Sequence, residues 1–251
     1  MYNKKLFQLE GIWETYVPDE ILTQKTEFIL DYIPKDVKSI LDVGCGNGKI
    51  TNSLDKKFEV IAIDNSAEAL NYVKTKKILC SADIIPLDDS IFDLVFSSEL
   101  LEHLPEESIT KAILEMKRLT QKYILITVPY DEFLNFHSIL CPICNKIFHA
   151  FGHLHSFNVD SLKKLLEDEY FKVIRYGTHG PYVKKYFPWL LNIRQKYGLQ
   201  YYPPGKYTIC PHCGNQTFSK PKRNLLTKTC NLINKIFSFR QPLWLFMLLS
   251  K

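Results

Sequence analysis

Apolar positions along the chain alternate between short continuous runs and helical spacings. Residues 19–33 read as an amphipathic helix that must stop before Pro34. A strand is expected at 39–44, a helix over 48–57, a strand at 59–64 and a helix over 66–76. Further strands are expected at 78–82 and 92–97, with a helix near 105–119 between the second of these and a continuously apolar strand at 122–129. Such a run suits a strand covered by helices on both faces. A helix over 158–168 then leads to a strand at 171–176. Strands alternating with helices at this spacing predict a parallel α/β sheet.

The apolar run 243–249 has no periodicity, so a closing strand and a core or interfacial helix both fit it. It is far short of the roughly 20 residues a helix needs to cross a bilayer. Two long stretches, 130–157 and 181–242, interrupt the pattern. The second is rich in tyrosine, proline and lysine and holds a basic amphipathic segment, 224–237.

One stretch narrows the function. The run Ile40 to Val43 ends in glycines at alternate positions, Gly44, Gly46 and Gly48. Glycines there let the backbone turn sharply and approach a ligand, with a helix N-terminus behind them. The second strand ends in Asp64, 20 residues after Gly44, a spacing that suits a carboxylate gripping ribose hydroxyls. A nicotinamide-type loop would need Gly-x-Gly-x-x-Gly, which is absent.

With Asp42-Val-Gly44-Cys45-Gly46-Asn-Gly48, Asp64, Ser81-Ala-Asp83 and Phe92 to Pro105 in order, the chain resembles the class I S-adenosylmethionine (SAM)-dependent methyltransferases over roughly residues 27–180. Within them it is most similar to the type 11, ubiquinone-biosynthesis-like small-molecule branch. The resemblance implies a Rossmann-like seven-stranded sheet, mostly parallel, with 243–249 as its last, antiparallel strand. Helices cover both faces, and a zinc-binding subdomain is inserted. On this reading 1–38 is an N-terminal helical segment and cofactor lid, and 39–180 is the cofactor-binding core. The insertions 130–157 and 181–242 make the zinc-ribbon-like, basic part, and 243–251 completes the sheet.

The resemblance also assigns roles. Asp42 would order the glycine loop, with Gly44, Cys45 and Gly46 against the cofactor. Asp64 and Asn65 would hold the ribose, Asp83 and Ile84 would flank the adenine, and Ser98 or Glu99 would lie beneath the methionine portion. Tyr16 would close over the cofactor. For an acceptor proton, His103 is a candidate base because imidazole titrates near neutral pH. His153 and His155 are candidates because their loop follows the fifth strand, at the end of the sheet where open α/β folds bind ligands.

Cys141-Pro-Ile-Cys144 and Cys210-Pro-His-Cys213-Gly214 are two Cys-x-x-Cys knuckles. Each turn points two thiolates at one cation, so together they predict a tetrahedral four-cysteine site for structural zinc. The N-terminus has a basic pair without a following apolar stretch, so it does not read as a signal peptide. A reducing cytoplasm is therefore the expected location, with a peripheral position at the inner membrane face as an extension.

Charge is distributed unevenly. Residues 1–169 hold every Asp and Glu and carry a balance of −9, whereas 170–251 hold none and carry +14. A surface this basic predicts an anionic partner. The Asn/Asp-Pro-Pro-Tyr/Phe motif of enzymes that methylate base amines is absent after the fourth strand, where the chain reads Ser97-Ser-Glu-Leu. The leading expectation is methyl transfer to an oxygen of a small-molecule or glycan acceptor, lipid- or phosphate-linked, beside an anionic membrane. RNA is the alternative acceptor.

Overall fold

The computed structural model describes residues 5–9, 11–14, 19–221 and 223–251. After helix α1 (Asp19–Tyr32), the chain alternates β1 (Ser39–Val43), α2 (Thr51–Leu54), β2 (Glu59–Asp64), α3 (Ala67–Leu70) and β3 (Lys76–Leu79). Then come β4 (Phe92–Ser98), α4 (Glu106–Leu119) and β5 (Thr120–Pro129). A small hairpin, β6 (Ser138–Leu140) and β7 (Ile147–His149), precedes α5 (Val159–Leu166) and β8 (Lys172–Lys184). Helices α6 (Pro188–Lys196) and α7 (Leu225–Phe237) lead to β9 (Arg240–Ser250).

The seven long strands form one sheet in the order β3-β2-β1-β4-β5-β9-β8. β9 runs antiparallel to both β5 and β8, and the other pairings are parallel. This is the expected Rossmann-like sheet, and it decides the apolar run at 243–249 in favour of a strand. The reason is visible in the alternation of side chains. Leu245, Met247 and Leu249 enter the core on the face of α4 and α5, while Trp244, Phe246 and Leu248 enter the core on the face of α1. A strand buried on both faces has no polar positions to reveal its period.

Four expected boundaries shift. The helices at 48–57 and 66–76 are only four residues each. Ser66 caps α3 by accepting from the Ala69 amide. The chain then breaks so that Val73 lies under Gly48, and Lys77 Nζ donates to the carbonyls of Leu70 and Val73 at 2.7 and 3.0 Å. β3 starts and ends earlier than 78–82 because it is an edge strand whose register is set by β2 alone, ending at the pair Asp64–Leu79. β8 continues past residue 176, through an irregularity between His179 and Tyr182, to Lys184, where it pairs with Arg240. The long connection is therefore 185–239 rather than 181–242.

Three smaller apolar clusters lie outside the sheet. Ile139, Phe148, Cys141 and Cys210 form one, and Tyr186, Leu190, Leu191 and Cys230 join α6 to α7 in another. The third ties the N-terminal segment to the second insertion through Leu6, Ile12 and Ile209. Among the described residues, no helix is long and apolar enough to cross a membrane.

Candidate active site

The glycine turn sits at the carboxyl end of β1. Gly44, Gly46 and Gly48 all have positive φ, at 76°, 53° and 68°, a region that side chains with a Cβ seldom enter. A Cβ on Gly44 would also lie 2.9 Å from Leu100 Cδ1. The turn is fixed to β2 by the Gly44 and Cys45 amides, which donate to the Ile63 carbonyl at 2.9 and 3.0 Å. Asp64 at the end of β2 accepts from the Gly46 amide at 2.8 Å and from the Ser66 amide at 2.8 Å, one on each oxygen. The carboxylate still has acceptor capacity left for a hydroxyl donor. Asp42 lies beneath the turn, 2% exposed, and accepts from Thr51 Oγ1 at 2.6 Å. Burial pushes its carboxyl up to about 7, against the lowering effect of the Thr51 bond.

The turn opens into a cavity of about 200 Å³. Gly44, Cys45, Gly46 and Asp64 form one wall, and Ser98, Glu99, Leu100 and His103 another. Phe7 and Trp13 close over it from the N-terminal segment, and Lys25 of α1, Lys49 after the glycine turn, His153 and Trp244 of β9 also line it. The strap is anchored: Asn47 Nδ2 donates to the Trp13 carbonyl at 2.7 Å and Ser66 Oγ to the Phe7 carbonyl at 2.8 Å. Lys25, 3% exposed, pairs with Glu99 at 2.9 Å and lies 4.7 Å from the centre of a Trp244 ring. Glu99 itself adopts φ 54°, a strained backbone of the kind found at functional sites.

Behind His103 lies a polar cluster. Glu132, from the loop after β5, accepts from or pairs with three imidazoles: His137 Nδ1 at 2.7 Å, His153 Nδ1 at 2.5 Å and His149 Nε2 at 3.4 Å. Burial raises the Glu132 carboxyl, but the three histidine bonds outweigh it and hold the group far below the usual carboxylate range. The His103 and His153 rings meet edge to face, 4.7 Å between centres. Burial holds His103 well below the ordinary imidazole range, so its ring is neutral at pH 7, which weakens it as a base and leaves a nitrogen lone pair free for a cation.

The two knuckles meet in space. Cys141 Sγ lies 3.6 Å from Cys213 Sγ, and Cys144 Sγ 3.7 Å from Cys210 Sγ. A tetrahedron with bonds of about 2.3 Å to sulfur has edges of about 3.8 Å, so the four thiols fit a zinc ion. The residue after each second cysteine is left-handed, Asn145 at φ 55° and Gly214 at 76°. This lets the Asn145 and Gly214 amides return to the Cys141 and Cys210 carbonyls at 3.0 and 2.9 Å. Burial raises the Cys141 thiol, but bonds from the Cys144 and Ile143 amides outweigh it and bring it down to about 7.

Of the residues expected from sequence, Gly44, Cys45, Gly46, Asp64, Ser98, Glu99, His103 and His153 line one cavity. Asp42 supports it from below. Asn65, Asp83, Ile84 and His155 are not on its wall; Ile84 lies in the turn after β3, 75% exposed, and the His155 amide donates to the Glu102 carbonyl at 3.3 Å. Tyr16 lies outside the described residues. Sequence reasoning passed over Lys25, Trp244 and Glu132. Lys25 did leave a signal, since it stands three residues after Leu22 and four before Ile29 on the apolar face of α1.

The profile of a family described as "Methyltransferase domain" matches residues 41–123. An uncharacterized protein of Methanocaldococcus jannaschii is 31% identical over 151 residues, 58% of this chain and 64% of that protein. A ubiquinone biosynthesis O-methyltransferase of Xylella fastidiosa is 29% identical over 38% of this chain and 45% of its own length. The chain therefore spans about half to two thirds of these curated relatives. A solved SAM-dependent methyltransferase from Archaeoglobus fulgidus superposes with a TM-score of 0.61 at 17% identity, covering 96% of this chain and 97% of that one; it shares the fold. Residues 41–123, from β1 into β5 and including the glycine turn, thus carry a methyltransferase domain, and the whole chain has the fold of a SAM-dependent methyltransferase.

Proposed function

We propose that the protein transfers the methyl group of SAM to an oxygen of a small-molecule or glycan acceptor. The observation that carries this reading is the cavity in which the glycine turn, the prepared Asp64 carboxylate and the strained Glu99 face one another. SAM supplies an electrophilic methyl on a sulfonium sulfur. Asp64 holds the ribose, Gly44 and Gly46 admit the cofactor close to the backbone, and Glu99 with Lys25 orients the amino-acid end. Asp83 and Ile84 are assigned to the adenine by analogy, as Tyr16 is to the lid. Phe7 and Trp13 exclude water from the reactants.

The Cys141, Cys144, Cys210 and Cys213 site is assigned to structural zinc, on the sulfur spacing given above. The acceptor oxygen is favoured by the resemblance to the ubiquinone O-methyltransferase. A peripheral membrane contact is supported by the outward apolar face of α7, where Leu225, Leu232, Ile236 and Phe237 are all more than half exposed amid the basic C-terminal third. The RNA alternative gains no support from the relatives described.

The direct test is incubation with methyl-labelled SAM and separated lipid-linked glycan, small-molecule and RNA fractions. Label in a lipid-linked or small-molecule product supports the proposal. Label confined to RNA overturns the acceptor assignment, and no transfer to any fraction overturns the activity.

A further inference from the structure

The buried carboxylate of Glu102 has no place in the scheme above. Glu102 is 0% exposed, and among the described residues neither of its oxygens has a hydrogen-bond partner. Next to it, the buried Nδ1 of His103 is likewise without a partner. Isolated buried groups of this kind are costly, and native folds seldom keep them without a ligand. Glu102, His103 and His153 each offer one ligand atom, all within 4.8 Å of one another.

We propose that Glu102, His103 and His153 bind a divalent cation at the wall of the cofactor cavity, through one carboxylate and two imidazoles. Three further observations bear on the choice. His153 donates from Nδ1 to Glu132 at 2.5 Å, which leaves Nε2 as its ligand atom. A carboxylate behind a ligating imidazole fixes its tautomer and raises its basicity. Lys25, one of two lysines lining the cavity, is engaged by Glu99 at 2.9 Å rather than by Glu102. Both histidines line the cavity while Glu102 lies behind them, so the open coordination position faces the reactants.

Two imidazoles and one carboxylate with an open position suit Zn2+ or Fe2+ better than Mg2+ or Ca2+, and Mn2+, a harder ion, accepts the same oxygen and nitrogen donors. Such an ion would hold an acceptor oxygen inside the cavity. That use rests on the methyl-transfer reading, whereas occupancy of the site does not.

Mn2+ is a suitable probe because it favours oxygen and nitrogen ligands over thiolates. Titration of the intact protein, followed by the loss of the free Mn2+ spin-resonance signal, should give about one bound ion, displaced by Zn2+. Glu102→Gln and His153→Gln should each weaken it at least ~10-fold, and Glu132→Gln by about 10–100-fold. Should Glu102→Gln fail to fold by circular dichroism, His153→Gln, on a loop outside the sheet, carries the comparison. Cys141→Ser should leave Mn2+ binding intact. No saturable Mn2+ or Zn2+ binding beyond the cysteine site, or binding unchanged in the folded variants, overturns the proposal. Binding of S-adenosylhomocysteine in the same preparation separates that failure from failure of the cofactor reading.

Discussion

A carboxyl buried at 2% exposure, as Asp42 is, faces a conflict between desolvation and its bond from Thr51. In the fold it titrates near 7, and in an unfolded chain near ~3.9. Between those values the folded state holds a proton that the unfolded state has lost. The contribution is therefore full below about pH 4 and declines as pH rises to about 7. Asn in its place keeps an acceptor for Thr51 and removes the charge. Asp42→Asn should melt above wild type by at least ~2 °C at pH 8, with the difference shrinking towards pH 5. A difference independent of pH between 5 and 8 would show that Asp42 is ionised throughout. The same residue scale decides what can be read in advance. Gly44, Gly46 and Asp64 are legible because a positive-φ turn and a strand-end acid are local patterns. The grip of Glu132 on His137, His149 and His153 is not, because it depends on how a loop folds back on itself.

Among the elements, the two knuckles are the most legible. Their internal geometry is set by a left-handed residue after each second cysteine, and only their meeting across 66 to 72 residues needed the fold. Cys141→Ser and Cys210→Ser should each reduce bound zinc from about one per chain to well below half by elemental analysis, since either change leaves three thiolates. Full retention in both would remove the four-cysteine assignment. The short helices were less legible. Their ends are set by tertiary contacts, Val73 under Gly48 and Lys77 on the carbonyls of Leu70 and Val73, which helical periodicity cannot register. The final strand was ambiguous for the opposite reason, because burial on both faces erased its period.

At the scale of the whole molecule, the insertions bring three things to the fold: the thiolate site, the histidine cluster and the basic helix α7. Ile209, beside Cys210, packs with Leu6 and Ile12 of the strap whose Trp13 lines the cavity. α7 buries Thr227, Cys230 and Asn234 while leaving Leu232 and Phe237 58% and 67% exposed. This outward apolar face amid lysines suits an anionic bilayer surface. Leu232→Ser with Phe237→Ser should reduce cosedimentation with phosphatidylserine-containing vesicles several-fold and leave the melting temperature nearly unchanged. Equal sedimentation of variant and wild type would remove the membrane contact. The central claim is that a cofactor occupies the glycine turn, which calorimetric titration with S-adenosylhomocysteine tests most directly. The wild type should bind one equivalent, and Asp64→Ala should bind at least ~10-fold more weakly, a loss of about 1.4 kcal/mol. No binding by the wild type, or equal affinity in Asp64→Ala, would contradict the account.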